Sequence, residues 1–328
     1  AYLRVLADAA DETLLVILEE MELGINAFNS KPDVETYNIV LRYHVVKENY
    51  DEVTRLFNSL YESYRQVRPN ADTYCWVLRA YCRMKDAEAA TRLIQSMQKR
   101  RIPLVIQHYH YLMQVYLEAD DRRIVDVFYS LQDGEVDNMA GTMTTENNQM
   151  NEVDVANKDN ESQESNEEES TREVLIADAE CYRLAMEYHR RHKQWERLEA
   201  IFAKLMGQDL VEADTGCYNV VLKMFFAREM YTNARKIFTE LRLKCVRVDL
   251  ETYNTLLHIF ATAGDHTMYD VLQDMKANRV APEASTFGIL MQHSEGRRAV
   301  LNAVTLNLFW NPADEFKGIV KLEEKQQA

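Results

Sequence analysis

Seven aromatic residues recur along this 328-residue chain at a nearly constant interval. Tyr37, Tyr74, Tyr109, Tyr182, Tyr218, Tyr253 and Phe287 lie 37, 35, 73, 36, 35 and 34 positions apart. The long interval is one period plus an insertion. A fixed period in the range of about 20–50 residues is the signature of a stacked-repeat architecture, in which one supersecondary unit is laid against the next.

Two apolar residues follow each aromatic three and four positions on, as in Val40-Leu41, Val77-Leu78, Leu112-Met113 and Leu256-Leu257. That spacing puts them on the aromatic's own helical face. A second pair three apart comes later in each period, including Phe57/Leu60, Ile94/Met97, Phe128/Leu131, Phe202/Leu205 and Phe238/Leu241. Each period therefore holds two amphipathic helices, neither of which can hide its apolar stripe alone. The expectation is an all-α solenoid of about seven helix–turn–helix repeats. Only 9 Gly and 5 Pro, with 47% hydrophobic residues, suit helices better than a turn-rich β protein.

The predicted division is 1–133 for a partial first repeat and repeats from 34, 71 and 106; 134–173 for an insertion; 174–308 for repeats from 179, 215, 250 and 284; and 309–328 for a tail in which Phe309 and Trp310 cap the core. The insertion carries twelve acids and two bases, few apolar residues and no period, so it is expected to be solvated and disordered. It is read either as a tolerated insertion or as an acidic arm for a basic partner. The net charge of −15 argues against a surface dominated by phosphate contacts. No run of about 18 apolar residues suggests a membrane span. The chain opens without Met and inside a repeat, which is compatible with removal of a targeting segment.

Segments such as VETYNIVLRYHVVKENYDEVTRLFNSLYE, TGCYNVVLKMFF and LETYNTLLHIFATAGDHTMYDVLQDMKANRVAPE resemble pentatricopeptide repeats over residues 1–133 and 174–300. The resemblance implies a right-handed superhelical solenoid, location in the mitochondrial matrix, and single-stranded RNA read one base per repeat. In that scheme the residue after the aromatic and the last residue of the repeat face a base. The pairs are Asn38/Asn70, Cys75/Val105, Arg183/Asp214, Asn219/Asp249 and Asn254/Glu283; His110 and Gly288 have no second member. An amide presents both donor and acceptor to a base edge.

Two departures shape the expectation. The position two before each aromatic, an apolar wedge between bases in the family, holds Glu35, Asp72, Gln107, Glu180, Gly216, Glu251 and Ser285. The site for a backbone-facing Lys near the end of the first helix holds cations only at Arg83 and Arg191. The groove is therefore expected to be acidic, touching RNA over a short part at most. The base-facing Asn residues also have a plain alternative reading as polar residues of helix N-termini.

Two basic clusters, Lys99-Arg100-Arg101 and Arg190-Arg191 with Lys193, are read either as solvated helix ends or as contacts for RNA backbone or a partner. His189 and His192 lack further ligands and sit among cations, against a metal site. Five cysteines without a C-x-x-C pair read as buried small residues of a reducing compartment. No phosphate loop, nucleophile elbow or zinc-protease motif is present. The reading is thus a non-catalytic scaffold with no cofactor, metal or small-molecule substrate, whose partners are rRNA or mRNA and proteins of a mitochondrial ribonucleoprotein. A role in translation, as a component or assembly factor of the mitochondrial ribosome, leads. A free-standing RNA-binding factor and a protein-only adaptor are the alternatives.

Overall fold

The structure, a computed structural model, describes residues 2–9, 11–25, 31–62, 67–134, 175–208, 210–244 and 246–305. Those residues form sixteen α-helices and no β-strand. The helices come in pairs: α1 (Tyr2–Asp8) and α2 (Thr13–Leu23); α3 (Val34–Val46) and α4 (Tyr50–Glu62); α5 (Ala71–Met84) and α6 (Ala87–Lys99); α7 (Ile106–Glu118) and α8 (Arg123–Asp133). They continue with α9 (Ala179–Arg191) and α10 (Trp195–Met206); α11 (Thr215–Ala227) and α12 (Tyr231–Leu243); α13 (Leu250–Ala263) and α14 (Thr267–Ala277); α15 (Ala284–Met291) and α16 (Ser294–Thr305). The acidic stretch from 135 to 174 and the tail from 306, with Phe309 and Trp310, lie outside the described residues.

Capping explains where the first helices begin. Asp33, Asn70, Asp214 and Asp249 are extended and accept a hydrogen bond from the backbone N–H three residues on, at 2.8, 3.0, 2.8 and 2.8 Å. Each such cap stabilises its helix by about 1 kcal/mol. Val105 cannot cap α7 in this way. There the Val105 N–H donates instead to Nδ1 of His108 at 3.0 Å, and Nε2 of the same ring bonds the Ala71 carbonyl at 3.0 Å. The turn closing each first helix is also periodic. Eleven positions after an aromatic, Glu48, Lys85, Asp120, Lys193, Glu229 and Gly264 all adopt positive φ. Only Gly264 does so without a Cβ.

The chain packs as two compact units, 1–185 and 186–328. The division falls inside α9 rather than at the acidic stretch. Tyr182, in the first half of α9, packs edge-on against Phe128 at 5.0 Å and takes a hydrogen bond from Gln132 at 2.8 Å. This half of the helix therefore belongs with α8. Within each unit, first helices stack on first helices, as α3 on α5 and α5 on α7, or α11 on α13 and α13 on α15, and each also packs against its second helix, forming a helical solenoid.

The recurring aromatics make the core. Tyr74, Tyr109, Tyr182, Tyr218 and Tyr253 are essentially inaccessible, and Phe287 is buried. Tyr74 meets Phe57 of the preceding pair edge-on at 5.3 Å, and Tyr218 meets Phe202 at 5.8 Å. Edge-to-face pairs of this kind add about 0.5–1.5 kcal/mol beyond the area they bury. Tyr37 departs from the pattern. It is half-buried, its hydroxyl reaches Glu22 at 2.9 Å, and the seven-residue α1 gives it a short neighbour. Phe202 and Met291 are half-buried too.

Candidate functional site

At Asn38, His110 and Asn254 the position after the aromatic lies where one first helix meets the start of the next. At the first such joint, Nδ2 of Asn38 donates to Oδ1 of Asn70 at 3.1 Å, and the Thr73 hydroxyl donates to Oδ1 of Asn38 at 2.7 Å. Asn254 repeats the arrangement. Its Oδ1 accepts from the Thr286 hydroxyl at 2.7 Å, and its Nδ2 donates to Ser285 at 3.3 Å. Asn219 differs. Thr252 gives its only hydroxyl proton to Asp249 at 2.6 Å, and Oδ1 of the buried Asn219 has no hydrogen-bond partner among the described residues. An ionised carboxylate outcompetes an amide for one hydroxyl.

Two other expected pairs carry different chemistry. Cys75 is half-buried, with burial pushing its thiol up to about 11, and its second member Val105 offers no polar group. Arg183 is engaged on its own helix, donating from Nε and a terminal nitrogen to Glu180 at 2.6 and 2.5 Å. Asp214 is occupied in capping α11.

One pair was missed by sequence reasoning. Nε2 of His110 lies 2.8 Å from Oδ1 of Asp178, so Asp178 is its second member, although 68 positions separate them. Counting back from the following aromatic would have found it, since Asp178 stands four before Tyr182 as Asn70 stands four before Tyr74. Counting forward fails because the acidic stretch intervenes. Burial pushes the Asp178 carboxyl up, but hydrogen bonds from His110 and the Cys181 backbone outweigh that and hold it below the ordinary carboxylate range.

Three of the four wedge-position carboxylates are paired. Glu35 pairs with Arg4, Glu251 with Lys223 at 2.7 Å and Glu180 with Arg183; near the end of α7, Glu118 meets Lys85 at 3.7 Å. In the first unit a recess of about 580 Å³ runs along the first helices, lined in part by Arg4, Glu35, Asn38, Arg42, Asn70 and Trp76. A second recess adjoins it through Tyr111 and adds Arg79, Arg83, Lys85 and Glu118. Together they hold five cations (Arg4, Arg42, Arg79, Arg83, Lys85) and three carboxylates (Glu35, Asp72, Glu118). The expectation of an acidic groove is therefore wrong for this unit. Arg42 and Arg79 stand five after their aromatics, one helical turn before the column in which cations are scarce. The Arg79 guanidinium lies 5.6 Å from the Trp76 ring, and Trp76 and Tyr111 are half-buried. The corresponding recess of the second unit holds Lys223, Glu251 and Glu283 beside Asn254 and is acidic.

The predicted backbone contacts fall in several settings. Arg83, Lys99, Arg100, Arg101 and Lys193 are exposed, with Arg101 and Lys193 at positive φ in turns. Arg190 and Arg191 both reach Glu187, at 2.6 and 3.4 Å, and the Glu187 hydrogen bond raises the Arg190 pKa. His189 is a core residue. Its Nδ1 bonds Gln194 at 2.7 Å and burial lowers its pKa, while His192 lies against the Tyr188 ring at 4.3 Å.

Two family models match the chain: the PPR repeat family over residues 32–83, and the pentatricopeptide repeat domain over 63–119 and 236–297. Both describe repeats rather than enzymes. Among curated protein sequences none matched. The solved structures similar to the chain include the pentatricopeptide repeat protein PPR10 from maize, at 17% identity and a TM-score of 0.49, over 94% of this chain and 43% of that one. Two structures of PPR10 in complex with an 18-nt psaJ RNA element align at 17% identity with TM-scores of 0.45, covering 93% of this chain and 44% of theirs. The chain thus spans less than half the length of those proteins.

Proposed function

We propose that the chain is a pentatricopeptide repeat protein, as the family models matched over 32–119 and 236–297 support, and a non-catalytic scaffold that holds a short single-stranded RNA segment on its first unit. The observation that carries this reading is the excess of cations over carboxylates around Trp76 and Tyr111, in a chain whose net charge is −15. Cations following a backbone beside rings on which bases can stack are what sequence-tolerant single-strand binding requires. Asn38/Asn70 of this unit, and Asn219/Asp249 and Asn254 of the other, are the positions proposed to face a base. Arg83 and the Lys99–Arg101 turn are offered as backbone contacts. Arg183, Asp214 and the cluster at Arg190, Arg191 and Lys193 are proposed as partner contacts, where the ion pairs of Arg183, Arg190 and Arg191 would exchange. The acidic recess of the second unit suits a basic protein segment.

A solenoid with one cationic and one acidic recess suits a subunit or assembly factor of a ribonucleoprotein. The proposal includes location in the mitochondrial matrix and a role at the mitochondrial ribosome, for which the resemblance to a mostly organellar family is the support. A labelled oligopyrimidine tests the RNA step. Submicromolar binding at low salt is expected. Replacing Arg42 and Arg79 with Gln should reduce the slope of log affinity against log salt by about 1.4 if each meets one phosphate. Absence of binding, or a slope indifferent to both arginines, sinks the RNA reading. Comigration with ribosomal subunits on a sucrose gradient tests the assembly, and sedimentation only at the top of the gradient counts against it.

A further inference from the structure

The joint that flanks the acidic stretch differs chemically from the others. Its three positions, filled at the first joint by Asn38, Asn70 and Thr73, hold His110, Asp178 and Cys181. No other joint carries more than two metal-ligating side chains at these positions. A ligand atom of each residue lies within 4.8 Å of the other two. We propose that His110 Nε2, an Asp178 carboxylate oxygen and Cys181 Sγ form a binding site for a transition-metal dication, zinc above all.

The geometry needs little adjustment. Zinc–ligand bonds of about 2.0–2.3 Å place tetrahedral ligands about 3.3–3.8 Å apart. The Nε2 to Oδ1 contact of 2.8 Å must open slightly, and Sγ already lies within 4.8 Å of both. His110 sits on α7 while Asp178 and Cys181 sit at the start of α9, so a small shift of that helix start opens the contact. The Asp178 carboxylate already faces an imidazole nitrogen and the Cys181 N–H, at 2.8 and 3.1 Å. A dication would occupy the centre of that arrangement. Binding exchanges the thiol proton for a metal–sulfur bond and releases it to water, and the imidazole keeps its one proton on Nδ1. The side chains of His110 and Asp178 are 21% and 44% exposed, so the ion has an approach path and a fourth position for water. A thiolate with an imidazole selects zinc over magnesium or calcium.

The location gives the site a purpose. Its ligands lie on either side of the acidic stretch in sequence, where one repeat has to find the next across an interruption. A metal ion there would tie the two ends together.

Cobalt(II), a spectroscopic stand-in for zinc, tests the proposal on the full chain. One equivalent should produce a thiolate-to-cobalt charge-transfer band with tetrahedral d–d bands, both abolished by added zinc. Cys181→Ser should lose the charge-transfer band and Cys217→Ser should keep it. His110→Asn, which keeps a polar partner for Asp178, should weaken zinc binding by more than about tenfold. It also serves as the decisive variant if Cys181→Ser does not fold. A missing band at millimolar cobalt, a band that follows another cysteine, or an unchanged affinity in His110→Asn overturns the site.

Discussion

The joint at Asn38 and the joint at Asn219 are built from the same parts and end in different states. In the first, the cap is Asn70 and the groove amide is held on both sides. In the second, the cap is Asp249, the threonine proton goes to the carboxylate, and the Asn219 oxygen is left without a partner among the described residues. What decides whether the asparagine is tied down is where the threonine proton goes: to Asp249 at Asn219, but to the asparagine at Asn254, whose cap Glu283 takes no such bond. A tied amide has to break existing bonds before it can meet a base, whereas a loose one has nothing to give up.

The sharpest departure from both joints is His108, which replaces the capping threonine altogether. Its Nδ1 accepts the Val105 N–H, so Nε2 carries the proton donated to Ala71. Burial lowers its pKa below the ordinary value of 6.5. The unfolded chain then takes up the proton first, so the stability this residue supplies is full above pH 6.5 and is lost as pH falls below that value. Thermal midpoints at pH 7.5 and 5.5 should show a smaller acid loss for His108→Thr than for the wild type. The loss that remains is expected to belong to His44, His189 and His258, all also lowered by burial. An equal loss in the variant would mean that this joint does not govern acid stability.

Next in size is the contrast between the two asparagines. Asn38→Ala removes two hydrogen bonds and should cost about 2 kcal/mol in chemical denaturation, while Asn219→Ala should cost clearly less, because its oxygen is already unpaired. Equal losses would erase the distinction between the joints. Converting one joint into the other is subtler. Asp249→Asn frees the Thr252 hydroxyl for Asn219 but gives up a charge at a helix N-terminus, for a net gain below about 1 kcal/mol. Smallest is the turn that closes each first helix. Lys85→Gly should stabilise by about 0.5–1 kcal/mol and Gly264→Ala should destabilise by a similar amount, since both residues sit at positive φ.

The fold was legible because its cause is periodic. Tyr74, Leu78 and Ile94 announce a helical face by spacing alone, and that face can be buried only by another copy of itself. The candidate interface was legible where it follows the same count and not elsewhere. Arg42 and Arg79 stand one turn before the column that a backbone-facing Lys occupies in the family, so a count along that column passes them by. Asp178 escaped because an insertion broke the forward count. The pairing of Glu35 with Arg4 and of Glu251 with Lys223 could not be read at all. It depends on which side chains of adjacent helices come within reach, and composition by itself suggested repulsion.

The stacking of each helix pair on its neighbours has a kinetic corollary. The Asn38–Thr73, Asn254–Thr286 and Lys223–Glu251 bonds span 35, 32 and 28 residues, so each hairpin needs only the adjacent one to complete its packing. Low contact order of this kind favours fast folding that can nucleate at any hairpin and spread outward. The exception is the seam closed by His110 with Asp178, 68 residues apart, and by Gln132 with Tyr182, 50 apart, which must wait for a much longer stretch of chain to be made.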